Sequence, residues 1–213
     1  WPRMLTDQAR SSMRLHLAVA RLDGKRPAIV TQTGLYENEV ITAFDGELRQ
    51  LWEFRSTMET SGSAGHRLKV ADVDGDGKEE VFNGTTLLNA DGTLRWSIYR
   101  GYADIVEVDH ILPGRKDLQV FFAIETLTHA GAYVVDAPTG KIHWKVTHEE
   151  DPRWWHAHRG WAAEIWQDSP GMEMTANRDG HQTQDIVVFA SDGRLLAEGL
   201  NVRYTPVEWD GDP

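Results

Sequence analysis

The chain has 213 residues, 40% of them apolar, which is enough to build a core in one large β domain or two small ones. Its 33 acidic and 22 basic residues leave a net charge of −11, which disfavours nucleic acid as a partner and suits bound divalent cations. The absence of Cys excludes disulfides and thiolate metal sites, and no apolar run approaches the roughly 20 residues of a membrane-spanning helix.

No signal peptide is visible and the chain begins at Trp1, so a mature or trimmed product is expected. The 9 Trp are read as core anchors first and as platforms for sugar rings second.

In chain order, an apolar segment is followed by a loop and a second short strand four times over. The leading segments are 16–20, 68–71, 105–108 and 162–165, and the loops that follow centre on Asp23-Gly24, Asp72 to Glu80, Pro113-Gly114 and Pro170-Gly171. Tight turns alternate with these units: Asp45-Gly46 before Trp52, Asp91-Gly92 before Trp96, Asp136 to Gly140 before Trp144, and Asp192-Gly193 before Leu196. Gly in such turns supplies the positive φ of a short hairpin loop, and the following Trp or Leu is expected to point inward on the outgoing strand. The steps from Gly46 to Gly92, Gly140 and Gly193 are 46, 48 and 53 residues. No 3.6-residue period is evident, so helix content should be low.

Several strands per unit of this length predict an all-β fold, a β-propeller. The units run over about 10–60, 61–105, 106–155 and 156–205. They are read as about four blades of a larger, seven- or eight-bladed propeller with a calcium-binding inter-strand loop. A four-bladed ring could close at this length. An open arc would expose two blade faces, so further blades from the same or another chain are expected.

The loop is Asp-Val-Asp-Gly-Asp-Gly-Lys-Glu-Glu at 72–80. Asp72, Asp74 and Asp76 alternate, so their carboxylates converge, and hard oxygen ligands suit Ca2+. Glu80 arrives three residues too early for an EF-hand, and Val81-Phe82 reads as strand, so this is a shorter loop with the Lys78 carbonyl as a further ligand. Its expected role is to staple a blade.

Within its flanks, the stretch 65–81 resembles the family 11 polysaccharide lyases, the rhamnogalacturonan lyases. Segments 22–36, 101–104, 159–165 with 169–173, and 208–212 resemble the same family in the same order. Ulvan lyases and related uronate lyases are also propellers. The resemblance implies an eight-bladed propeller of which this chain is part, a pectin backbone as substrate, cleavage by β-elimination and several bound calcium ions. A secreted or periplasmic location and an acidic polysaccharide partner are expected, with neither nucleic acid nor membrane. The family shows Gly-His-Gly-Asp where this chain has Gly101-Tyr102-Ala103-Asp104, a His at Glu107 and an Asp at His110; its His ahead of the calcium loop is matched by His66.

β-Elimination needs a neutralised carboxylate, a base for the C5 proton and an acid for the leaving oxygen. His66 and Tyr102 stand ahead of corresponding strands in neighbouring blades, which brings them close around a central channel as an acid/base pair. Asp104 is either a calcium ligand or a loop-fixing acceptor. The segment 151–161 carries cations and aromatics suited to an anionic sugar: Arg153, Trp155, His156, His158, Arg159 and Trp161. His156 and His158 are two apart and could also bind zinc, with no third ligand evident nearby. His110, His129, His143, His148 and His181 show no local pattern. The functional expectation is a lyase acting on a rhamnose- and uronate-containing polymer; the alternative is a catalytically silent, calcium-stabilised module binding glycan or protein.

Overall fold

A computed structural model describes residues 15–34, 39–56, 67–178 and 185–200. His66, His181 and the tail at 204–213 lie outside the described residues. The regular secondary structure of the described residues is strand, apart from one 3₁₀ turn at Leu127–His129.

Among the described residues, sixteen strands form four antiparallel meanders. The first comprises β1 (Leu15–Ala20), β2 (Ala28–Thr33), β3 (Val40–Phe44) and β4 (Gln50–Arg55). The second comprises β5 (Leu68–Ala71), β6 (Glu80–Asn83), β7 (Thr86–Leu88) and β8 (Leu94–Ser97). The third comprises β9 (Ala103–Asp109), β10 (Gln119–Ile124), β11 (Gly131–Asp136) and β12 (Ile142–Thr147). The fourth comprises β13 (Gly160–Ala163), β14 (Glu173–Asn177), β15 (Ile186–Phe189) and β16 (Leu195–Leu200).

The sheets stack face to face in series, because alternate side chains on each strand point to opposite faces. Val30, Ile41 and Ala43 of the first sheet meet Val81 and Leu88 of the second. Phe82 and Leu87 meet Val120, Phe122, Tyr133 and Val135 of the third. Phe121, Ala123 and Val134 meet Met174, Val187 and Phe189 of the fourth. The third sheet is covered on both faces, so β10 and β11 are buried at every position, and their sequences are nearly unbroken apolar runs.

The recurring Trp reaches across to the next sheet rather than serving only its own. Trp52 donates from Nε1 to the Ala90 carbonyl at 2.9 Å, Trp96 to Ala137 at 3.0 Å and Trp144 to Ser191 at 2.7 Å. Each indole also lies on the turn glycine of that neighbour: a Cβ on Gly92, Gly140 or Gly193 would come within 2.5, 2.8 and 2.8 Å of the ring. Gly is therefore required twice over, by positive φ and by the indole. In the first sheet the corresponding left-handed residue is Leu48, φ 61°, two residues after Gly46. The matching hydrogen bonds, Leu48 N to Asp45 O and Gly92 N to Asn89 O, establish the equivalence. In the fourth sheet Ala197, opposite Val188, takes the place that Trp144 holds opposite Val134. Both outer sheets thus lack their half of the Trp-on-Gly contact.

A second recurring contact closes the loops between first and second strands. Glu80 accepts the Val73 N–H at 3.1 Å, Gln119 the Leu112 N–H at 2.8 Å, and Glu173 the Ile165 and Trp166 N–H groups at 3.0 and 2.8 Å. The first sheet has Ala28 at that place, and Glu79 of the second sheet accepts the Arg21 N–H instead at 2.5 Å.

Candidate active site

A cluster of two carboxylates and two imidazoles is assembled where the third and fourth sheets meet. Its first member depends on a β-bulge. Ala123 pairs with Ile105 but Ile124 pairs with Ala103, which leaves Asp104 as an additional residue on β9. Such a bulge re-aims a side chain. Here Asp104 turns to the fourth sheet, where its carboxylate is hydrogen-bonded to His158 Nδ1 and is almost wholly buried.

Glu125 follows β10 directly. Its backbone N–H donates to the Tyr102 carbonyl at 2.8 Å and its side chain is hydrogen-bonded to His156 Nε2. A second Glu125 oxygen lies 3.6 Å from His158 Nδ1. The two imidazole centroids are 4.2 Å apart with their planes at 57°. Burial and then the negative charge of Asp104 push the Glu125 carboxyl above its ordinary range.

The histidines are held by a shaped segment. The Asn177 carboxamide oxygen accepts the N–H groups of His158 and Arg159 at 2.9 and 2.7 Å. Trp154 is buried on Phe189, and its carbonyl is 2.6 Å from His148 Nδ1. Buried Arg178 ties the segment down through Asp151 and Asp185, at 3.3 and 2.5 Å.

Ligand atoms of Glu125, His156 and His158 lie within 4.8 Å of one another, so the cluster has the donor set and spacing of a divalent-cation site. Asp104 adds a fourth donor side chain at its edge. The third ligand that the His-x-His pattern lacked locally comes from Glu125, 31 residues away. Nothing marked it in the sequence beyond its place as the first charged residue after β10.

The other residues expected at a site are distributed more widely. Tyr102 is buried, and its N–H donates to Thr126 Oγ1 at 2.7 Å. Arg153 is engaged by Asp151 and Glu198, at 2.9 and 3.1 Å. Trp155 is exposed beside His156, with ring centroids 6.1 Å apart. Arg159 is exposed next to the cluster. Trp161 on β13 lies under the Arg67 guanidinium, 5.6 Å away, while Arg67 and Lys69 pair with Glu107 at 3.5 and 2.9 Å.

The aspartate-rich loop stands at the opposite end of the strands, between β5 and β6. Carboxylate oxygens of Asp72, Asp74 and Glu80 lie within 4.8 Å of one another. Asp72 accepts the N–H groups of Gly75 and Gly77 at 2.8 and 2.9 Å, which coils the loop around it. Asp76 turns outward to Lys78 at 3.1 Å, and Arg95 reaches Asp74 at 2.8 Å. The three converging carboxylates fit a hard cation such as calcium.

The family description rhamnogalacturonan lyase family 11, C-terminal domain, matches residues 9–213. The rhamnogalacturonan endolyase YesW of Bacillus subtilis (strain 168) is 32% identical over 208 residues, covering 93% of this chain and 32% of its own length. The exolyase YesX of the same organism is 34% identical over 209 residues, covering 93% and 33%. The solved structure of YesW superposes with a TM-score of 0.75 at 29% identity, over 89% of this chain and 32% of that one. The Bacillus licheniformis rhamnogalacturonan lyase PL11 gives 0.74 at 31% identity, with the same coverage of 89% and 32%. The chain spans about a third of the length of the relatives it matches. With the family match running over nearly its whole length, the chain belongs to rhamnogalacturonan lyase family 11.

Proposed function

We propose that the protein to which this chain belongs is a polysaccharide lyase that cleaves rhamnogalacturonan by β-elimination at the end of the sheets where Asp104, Glu125, His156 and His158 meet. The observation that carries this reading is their convergence from β9, the end of β10 and the segment before β13. A divalent cation held there by the carboxylates of Asp104 and Glu125, calcium in the first instance, would supply positive charge to the uronate carboxylate and so acidify the C5 proton.

The chain's own residues account for the rest. Carboxylate-bound imidazoles are fixed in orientation and suited to proton transfer, and half-buried His156 is the better placed of the two to take the C5 proton. Trp155 offers an exposed ring beside it for a sugar face. The burial of Tyr102 favours a supporting role beneath the cluster over contact with polymer, while His66, outside the described residues, is kept as a candidate acid. The loop of Asp72, Asp74 and Glu80 is read as a structural calcium site. The four sheets are read as blades of a propeller completed by further blades, working on an acidic polysaccharide outside the cytoplasm.

The test uses the full-length protein and rhamnogalacturonan, following the ultraviolet absorbance of the unsaturated uronates that elimination creates. Absorbance should rise, stop after metal removal by chelation and return with added calcium. Absence of any rise with metal-replete protein contradicts the proposal.

A further inference from the structure

Ten residues around the cluster, at 99–102 and 124–129, continue away from it side by side and end in a second group of different chemistry. We infer that Arg100, with His129 and the exposed ring of Tyr99, forms an anion subsite that takes the carboxylate of an acidic sugar beside the Asp104–Glu125 centre. This rests on the lyase reading above and names the group of the substrate that the subsite recognises.

Arg100 stands out first by its lack of a partner. It is half-buried, its Nε is wholly shielded, and among the described residues it makes neither a hydrogen bond nor an ion pair. The other arginines withdrawn from solvent each have an acid: Arg67 has Glu107, Arg95 has Asp74, and Arg178 has Asp185. In a chain with 33 acidic residues against 22 basic ones, an unpaired, partly desolvated guanidinium is the exception. Such a group is costly to leave unsatisfied, and its planar fork matches a carboxylate.

Its placement is built. Gly101, φ +80°, lies so close to Thr126 that a Cβ would come within 2.4 Å of the hydroxyl, and that hydroxyl accepts the Tyr102 N–H. This contact locks the segment carrying Arg100 onto the one that leads from Glu125 to the Leu127–His129 turn. Tyr99 is a non-glycine residue at φ 52°, braced by its N–H to Ser97 Oγ at 3.1 Å, and the residue is 53% exposed. A left-handed tyrosine is strained by roughly 1–2 kcal/mol, and strain of this kind collects at ligand clamps.

The local charges agree. Burial, and then the Arg100 charge, pull the His129 imidazole below its ordinary range, with Lys145 acting in the same sense and Glu149 against it. His129 is thereby a neutral hydrogen-bonding group beside a cation. Arg100 and Asp104 are four residue steps apart along the chain, at most about 14 Å, so one oligosaccharide can reach both places.

The experiment measures, by calorimetry on the full-length protein, binding of a rhamnogalacturonan oligosaccharide and of the same oligosaccharide with its carboxyls reduced. Arg100→Gln should weaken the acidic ligand about 10- to 100-fold and leave the reduced one unchanged. Arg100→Lys, which keeps the charge and loses the fork, should weaken the acidic ligand several-fold and serves if the glutamine variant folds poorly. Unchanged binding of the acidic ligand in these variants, or equal losses on both ligands, overturns the subsite. A wild type that cleaves rhamnogalacturonan while the variants bind normally overturns the subsite alone; a wild type that neither binds nor cleaves it overturns the lyase reading and the subsite together.

Discussion

Two acidic centres lie at opposite ends of the same sheets and are built on opposite principles. Asp72, Asp74 and Glu80 come from one loop of nine residues, with Asp72 largely satisfied by the loop's own backbone N–H groups. Asp104, Glu125, His156 and His158 come from three segments in two sheets, need a bulge to face one another, and are braced by Asn177, Trp154 and Arg178. A local centre of the first kind serves the loop that carries it. A centre assembled from distant segments, with partly buried and mutually repelling carboxylates, is placed by the whole fold, and perturbed groups of this kind gather where chemistry occurs.

That contrast predicts different outcomes for substitutions at the two ends. The largest effect should fall on His158→Gln, which removes an imidazole held by Asp104: cleavage of rhamnogalacturonan should drop about 10²–10⁴-fold with the unfolding midpoint little changed. Tyr102→Phe, beneath the same cluster, should cost less than about tenfold, as a supporting group would. A loss as large as that of His158→Gln would return the proton-transfer role to Tyr102.

Stability should answer to the stacked sheets rather than to the site. Gly140→Ala places a Cβ within 2.8 Å of the Trp96 ring at a φ of +75°, and should lower the free energy of unfolding in urea by about 2–4 kcal/mol. Leu48→Gly, at the equivalent turn with no indole above it, should instead stabilise by about 0.5–1 kcal/mol.

Between these lies a pH effect at Glu39. This side chain is fully buried, and burial pushes its carboxyl up from 4.5 to about 9 against a hydrogen bond from Asn83. The folded state therefore holds the proton more tightly than the unfolded chain does. The stabilisation is complete below about pH 4.5 and is lost progressively as pH rises towards 9. Glu39→Gln should flatten stability across that window and exceed the wild type at pH 8 by about 2–4 kcal/mol. Parallel pH profiles for the two proteins would contradict this.

The parts legible in the sequence were those whose cause is local. Alternating apolar runs and Gly turns point to strands at regular spacing, and the aspartate loop points to Asp72, Asp74 and Glu80, whereas Asp76, expected to converge with them, turns outward to Lys78. The role of the recurring Trp was not legible, because its hydrogen-bond acceptor is a carbonyl 38 to 47 residues away. In the first sheet the sequence points to Gly46 as the left-handed turn residue, because Gly is the usual occupant, whereas Leu48 adopts it. Glu125 carried no pattern at all: its partner His156 lies 31 residues on, and only the stacking of the third sheet on the fourth brings them together.

The most direct test of the central claim compares Asp104→Asn with Asp74→Asn in the full-length protein, measuring rhamnogalacturonan cleavage and the thermal unfolding midpoint for each. The account predicts that Asp104→Asn loses at least about 100-fold in cleavage while its midpoint holds, and that Asp74→Asn keeps its cleavage rate while its midpoint falls. Full cleavage by Asp104→Asn, or loss of cleavage by Asp74→Asn at an unchanged midpoint, would contradict it.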